Sequence, residues 1–162
     1  MPPKLPALDP TQVPARTHST YPAPFQARVL PREKRSLTAA LGLTQVGINL
    51  TTLSPGKESS MRHHHSHEDE FVYILEGEVV LRTNAGEQLL RAGMCAGFPA
   101  GSDDAHQLVN RSDRPVQYLE VSNRDPRDSV QYPDVDLVYQ KDVEGSPRFT
   151  HKDGTPYPKH TP

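Results

Sequence analysis

Apolar and polar positions alternate with period two through the middle of this chain, and no stretch sustains a helical period. Val46, Ile48 and Leu50 alternate with Gly47 and Asn49, and similar short runs rich in β-branched and aromatic residues recur downstream. The pattern predicts strands over 43–53, 71–76, 78–83, 87–91, 94–98, 106–110 and 116–122, with a further one over 135–140. Asn84-Ala85-Gly86 reads as the hairpin turn between 78–83 and 87–91, with glycine available for positive φ. A short helix is predicted over 34–41. Short strands at this spacing predict an all-β fold, a sandwich or small barrel.

Proline sets the limits of that body. Of 17 prolines, eight fall in residues 1–31 and five in 133–162, while 32–132 holds only Pro55, Pro99, Pro115 and Pro126. Proline breaks sheet ladders and helix interiors. The expected organisation is an N-terminal arm over 1–35, a folded body over 36–125 and a C-terminal arm over 126–162. The arms carry Tyr21, Phe25, Tyr132, Tyr139, Phe149 and Tyr157, rings that need a surface to lie on. That surface is the chain's own barrel or a second subunit.

Charge narrows the function classes. The 18 Lys and Arg against 20 Asp and Glu leave a net charge of -2, without the basic surplus of a nucleic-acid binder or a polybasic membrane-surface protein. No apolar run approaches the length of a membrane span, and the first thirty residues show no secretory h-region. The single cysteine, Cys95, cannot form an internal disulfide and is expected to be a small buried residue in a strand. The expectation is a cytoplasmic protein.

The candidate chemistry lies in histidine. Four of the eight histidines are His63, His64, His65 and His67, with Glu70 three residues on and His106 far downstream. On a strand, His63, His65 and His67 share one face and His64 takes the other. Two imidazoles on one face, joined by Glu70 and by His106 from another strand, make a mixed nitrogen and oxygen set suited to Fe, Mn, Ni, Co, Cu or Zn. A run of histidines is also compatible with an adventitious metal tract.

The spacing resembles the two motifs of the cupin superfamily. His63-His64-His65 is followed by four residues, Glu70, six residues and Gly77; Gly56 precedes His63 by one residue more than the family pattern. Gly93, five residues, Pro99-Ala100-Gly101, His106, three residues and Asn110 match the second motif, with Ser102 to Ala105 as an enlarged loop. The stretch Tyr21-Pro22-Ala23-Pro24-Phe25 is similar to that of small bacterial single-domain cupins, some of whose relatives are labelled sugar-phosphate isomerases. The resemblance implies a single-domain jelly-roll β-barrel with Pro-rich arms. It implies one divalent transition metal per chain, held by His63, His65, Glu70 and His106. His67 is the alternative ligand if the register shifts to His65 and His67.

A metal with open coordination positions supports either a dioxygenase or an isomerase or epimerase that moves a proton on a small polar substrate. The alternative is a non-catalytic barrel that binds a small ligand or the metal alone. Candidate proton-moving groups are Tyr73, Glu76, Tyr118 and Glu120. Tyr118 and Glu120 share a parity and are the preferred pair. Arg62, Arg82 and Arg91 are the cations nearest the motifs, and the pattern places none of them inside. The arms predict a homodimer with no nucleic-acid or membrane partner.

Overall fold

The computed structural model describes residues 6–142 and 144–158, so the outermost ends of both expected arms lie outside the described residues. A five-stranded antiparallel sheet forms one wall. It contains β1 (Arg32–Ser36), β2 (Val46–Leu53), β4 (Glu70–Glu76), β7 (Cys95–Phe98) and β9 (Val116–Asn123), in the order β1-β2-β9-β4-β7. The hairpin of β5 (Glu78–Thr83) and β6 (Gly86–Arg91) joins β8 (Gln107–Val109) in a second sheet. A third holds β3 (His64–His65), β10 (Ser129–Tyr132), β11 (Leu137–Lys141) and β12 (Pro147–Thr150), in the order β12-β11-β10-β3. This is the all-β, jelly-roll type of architecture. None of the described helices is long and apolar enough to cross a membrane.

The period-two pattern explains the core. Leu53, Val72, Ile74, Val116 and Tyr118 point inward from the five-stranded wall and meet Val79, Leu81, Leu90 and Leu108 from the second sheet. The opposite faces remain outside, with Phe71, Tyr73 and Leu75 all exposed. A second cluster forms where the terminal segments meet β10 and β11. Tyr21 and Val29 pack there with Met61, Val130, Tyr132 and Leu137, and Phe25, Tyr139, Phe149 and Tyr157 close around them. The aromatic rings of both terminal segments thus lie on their own chain.

Three local readings differ from the sequence expectation. Residues 34–41 are split: Arg32–Ser36 is a strand paired with β2, and only α2 (Leu37–Leu41) is helical. The Ser36 hydroxyl caps that helix and Gly42 ends it in the left-handed region. In β1 the inward side chains are Arg32 and Lys34 rather than apolar residues, which hides the strand from a hydrophobic pattern. A further helix, α1 (Ala23–Val29), follows Pro22 in the N-terminal segment. Cys95 is exposed, because it shares the outer face with its cross-strand partner Tyr73.

Asn110 ties the motif to the frame. It is fully buried, and its amide donates to the carbonyls of Leu53 (3.0 Å) and Arg114 (2.8 Å) while its oxygen accepts from Ser112. Gly77 (φ +81) turns the chain where a Cβ would come within 3.0 Å of the Pro115 carbonyl oxygen. Replacing Asn110 with Ala leaves the buried Leu53 carbonyl short of a donor and removes one of two donors to the Arg114 carbonyl. Asn110→Ala should therefore lower stability by about 2 kcal/mol or more, read as a shift of the urea midpoint at unchanged slope.

Candidate metal centre

Two short ladders bring the histidines together. His63 and His106 exchange backbone hydrogen bonds (3.0 and 2.8 Å) as an isolated antiparallel bridge. His65 pairs with Val130 of β10, and Glu70 opens β4 opposite Phe98 and Ser122. Gly101, at φ +74, donates its N–H to the His65 carbonyl (2.9 Å) and fastens the second motif to the first.

The ring nitrogens then converge. The Nε2 atoms of His106, His63 and His65 lie 2.8, 3.2 and 3.4 Å from one atom, Oε2 of Glu70. Each ring is held from behind. Nδ1 of His63 contacts the Met61 carbonyl oxygen at 2.9 Å, and Nδ1 of His65 contacts Oδ2 of Asp128 at 2.7 Å. His106 stacks flat on Phe98, with centroids 3.6 Å apart and 2° between the planes. For His63 and His65, an Nδ1 that donates to a carbonyl or carboxylate leaves Nε2 as the lone-pair nitrogen of the neutral ring. Lone pairs aimed at a carboxylate oxygen repel unless a proton or a cation stands between them. The donor set therefore fits a metal ion that prefers nitrogen and oxygen.

Electrostatics agrees. Burial would raise the Glu70 carboxyl, but the bonds from His106, His63 and His65 outweigh it and hold it well below the usual carboxylate range. Burial would lower His65, but the Asp128 and Glu70 carboxylates outweigh it and push the ring up to about 10. His106 is lowered, chiefly by burial. A cation bound here has a proton on His65 to displace.

Other candidates fall elsewhere. His67 is exposed and contacts the Ser66 hydroxyl at 2.8 Å, because the chain leaves β3 at Ser66 and turns. His64 sits opposite Gln131, on the other face from its neighbours. Tyr73 and Glu76 are exposed. Tyr118 and Glu120 line a cavity of about 330 Å³ that also contains the three histidines and Glu70. In register, Ser122 lies opposite Glu70, so Glu120 and Tyr118 are the next two inward positions along β9. Glu120 is bound by Lys34 at 2.6 Å, and the buried Tyr118 hydroxyl has no hydrogen-bond partner. Burial and the Glu120 charge hold the Tyr118 phenol well above its ordinary value, so it stays protonated.

The sequence pattern missed Asp128. It is 3% exposed and binds His65 through one oxygen, while the other accepts the His67 and Glu68 N–H groups. A carboxylate behind a ligating imidazole fixes its tautomer and raises its basicity. Its only sequence signal is an acidic residue in the turn-rich Asp125–Ser129 stretch, which marks a loop rather than a site. Glu68, expected to be a simple turn residue, also lines the cavity and meets Lys141 at 3.4 Å. Asp128→Asn should weaken metal binding about 10- to 100-fold. His106→Ala should abolish stoichiometric binding, and His64→Ala should leave it nearly unchanged. Metal content after dialysis against graded chelator reads all three.

Comparison with known proteins agrees with this arrangement. A model of the cupin domain matches residues 49–122. A protein from Silicibacter pomeroyi described as a sugar phosphate isomerase of the cupin superfamily superposes with a TM-score of 0.88 and 42% identity, over 93% of this chain and 96% of that one. A protein from Acidithiobacillus ferrooxidans, assigned provisionally as a sugar phosphate isomerase, gives 0.69 and 30% over 75% and 77% of the two chains. Among curated proteins, the tetracenomycin polyketide synthase protein TcmJ of Streptomyces glaucescens is 28% identical over 101 residues. That match covers 62% of this chain and 66% of TcmJ, just under two thirds of the relative's length. With the near full-length match to the Silicibacter protein and both motifs gathered on one cavity, the chain belongs to the cupin superfamily.

Proposed function

We propose that this chain is a metal-dependent enzyme that moves a proton on a small polar carbonyl compound, an isomerase or epimerase of the sugar type. The observation that carries the reading is the shared inner face of Glu70, Glu120 and Tyr118, which sets an acid–base pair beside a cluster of metal-binding side chains in one cavity. The sugar phosphate isomerase description of the Silicibacter and Acidithiobacillus relatives points the same way.

One divalent transition ion per chain, held by His63, His65, Glu70 and His106, would polarise a substrate oxygen as a Lewis acid. The protein's own groups do the rest. The Glu120 carboxylate, held in place by Lys34, takes the proton from the carbon beside the carbonyl. The Tyr118 hydroxyl, still protonated, donates to the oxygen on which negative charge gathers. Tyr118 passes its proton to that oxygen, giving an enediol. Glu120 then returns its proton to the former carbonyl carbon while the Tyr118 phenolate takes the proton from the neighbouring hydroxyl, so protons and electrons balance. Apolar walls such as Val72, Phe98 and Leu108 limit water around the reacting carbon.

Both terminal segments pack on their own barrel, so the proposed homodimer uses another surface. The outer face of the five-stranded sheet, with Phe71, Tyr73 and Leu75 beside Met94, is apolar and exposed and suits a second copy. A single free cysteine fits a reducing compartment, and the cytoplasm is the proposed location.

Metal-loaded protein incubated with aldoses and ketoses in deuterium oxide should exchange hydrogen at the carbon beside the carbonyl. Glu120→Gln should lower that rate by about 100-fold or more with metal content unchanged. Oxygen consumption without exchange would overturn the reading in favour of a dioxygenase, and tight ligand binding without turnover would do so in favour of a binding protein.

A further inference from the structure

The cavity holds two cations that the proposed chemistry does not use. Each carboxylate lining it is already engaged: Glu70 by the histidines, Asp128 by His65, Glu68 by Lys141 and Glu120 by Lys34. Arg16 and Arg32 line the same cavity, and among the described residues neither side chain forms an ion pair. Arg16 reaches it because residue 16 bridges to Lys34 on the edge of β1, with backbone bonds of 2.9 and 3.0 Å. Arg32 lies two residues before Lys34 and faces the same way. Arg32 is 6% exposed; one guanidinium nitrogen donates to the Ser59 carbonyl, and its buried Nε has no partner.

Those cations adjoin a wall of unsatisfied groups. In register, Lys34 stands opposite Thr51 and Thr51 opposite Tyr118, while Arg32 stands opposite Leu53. The buried Thr51 Oγ1, Tyr118 Oη and Arg32 Nε all lack hydrogen-bond partners, and all three belong to this inner face of β1, β2 and β9. Buried polar atoms without partners are uncommon; Arg32 and Tyr118 line the cavity, where a polar ligand can complete them, while Thr51 is not among the lining residues. Arg16 is also destabilised as a cation, by burial first and then by the like charge of Arg32, which the Glu120 carboxylate only partly offsets. A compact oxyanion relieves both the crowding and the missing bonds. The arginines nearest the motifs do not compete for this role. Arg62 is bound to Asp134, Arg82 to Gln107 and Glu87, and Arg91 to Glu78, and none lines the cavity.

We infer that Arg16 and Arg32 form an oxyanion subsite in the metal-bearing cavity, and that the ligand carries a phosphate monoester or a carboxylate at that end. This rests on the metal-enzyme reading above and specifies its substrate as an anionic small molecule. The subsite comes from the N-terminal segment and β1, outside the two histidine motifs. The four cationic side chains lining the cavity (Arg16, Arg32, Lys34, Lys141) match its four carboxylates in number, so a bound divalent ion would leave a net positive charge that an anion such as a phosphate monoester offsets.

The test titrates inorganic phosphate, and separately succinate, into the full zinc-loaded chain by calorimetry, with zinc content measured on the same samples. The wild type should bind at least one of the two, and the better of them names the anion. Arg16→Gln, at a half-buried position that bears no core packing, should weaken that binding about tenfold or more at unchanged zinc content. Arg16→Lys should recover part of it. Arg32→Gln should act in the same direction, provided its melting temperature shows a folded chain. Equal anion affinity in wild type and Arg16→Gln, or no anion binding by the wild type, overturns the subsite while leaving the metal centre standing. A wild type that takes up no zinc defeats the metal centre instead, and the arginine comparison is then read on the zinc-free chain.

Discussion

Three imidazole nitrogens converge on one carboxylate oxygen, an arrangement that is favourable only with a proton or a cation between them, and much of the barrel is arranged to hold them there. The His63–His106 bridge fixes two rings across neighbouring segments. The third is aimed by Asp128, which is itself held by backbone N–H groups of the turn that follows β3. Phe98 sets the plane of His106, whose Nδ1 is buried and has no hydrogen-bond partner. Stacking therefore does for His106 what hydrogen bonds do for the other two. A site whose rings are each restrained by a different device loses little entropy when an ion binds.

The terminal segments act as walls rather than tails. Without Arg16 and Tyr21 on one side, and Asp128, Val130, Tyr132 and Tyr139 on the other, the cavity would lie open over the histidines. The family motifs supply the side chains that could hold a metal, and the surrounding segments line the rest of the cavity. This division accounts for a fold that hosts many activities with one centre. It also places the polar groups most relevant to specificity where the family pattern says least.

The division sets what was legible in the chain. Strands with one apolar face were readable because alternation is a direct image of burial: 71–76, 78–83 and 116–122 fall within two residues of β4, β5 and β9. The histidines and Glu70 were readable because ligand chemistry restricts residue type and spacing. The β1 strand was not readable, since its inward side chains are Arg32 and Lys34 and its alternation is therefore one of charge. Nor were β10 and β12, which lie in the Pro-rich stretch whose composition reads as a C-terminal arm. Asp128 carried only the signal of a loop. Its role depends on a contact with His65, 63 residues away, and nothing local distinguishes it from a turn aspartate.

The inner face of β1, β2 and β9 shows how cost and use coincide. Below the centre the five-stranded sheet presents Leu53, Ile74 and Val116, a dry core whose burial stabilises the barrel. Toward the β1 edge the same sheet presents Arg32, Lys34, Thr51, Tyr118 and Glu120, and burying such groups costs stability wherever a partner is missing. A wall built only for stability would continue the apolar ladder across β1. This one places Lys34 against Glu120 and leaves a phenol, a hydroxyl and a guanidinium nitrogen without partners beside it. The apolar half and the histidine bridges hold the barrel closed, so the polar half is free to be incomplete. In the proposed subsite, an anion would supply the bond that folding leaves unmade at Arg32.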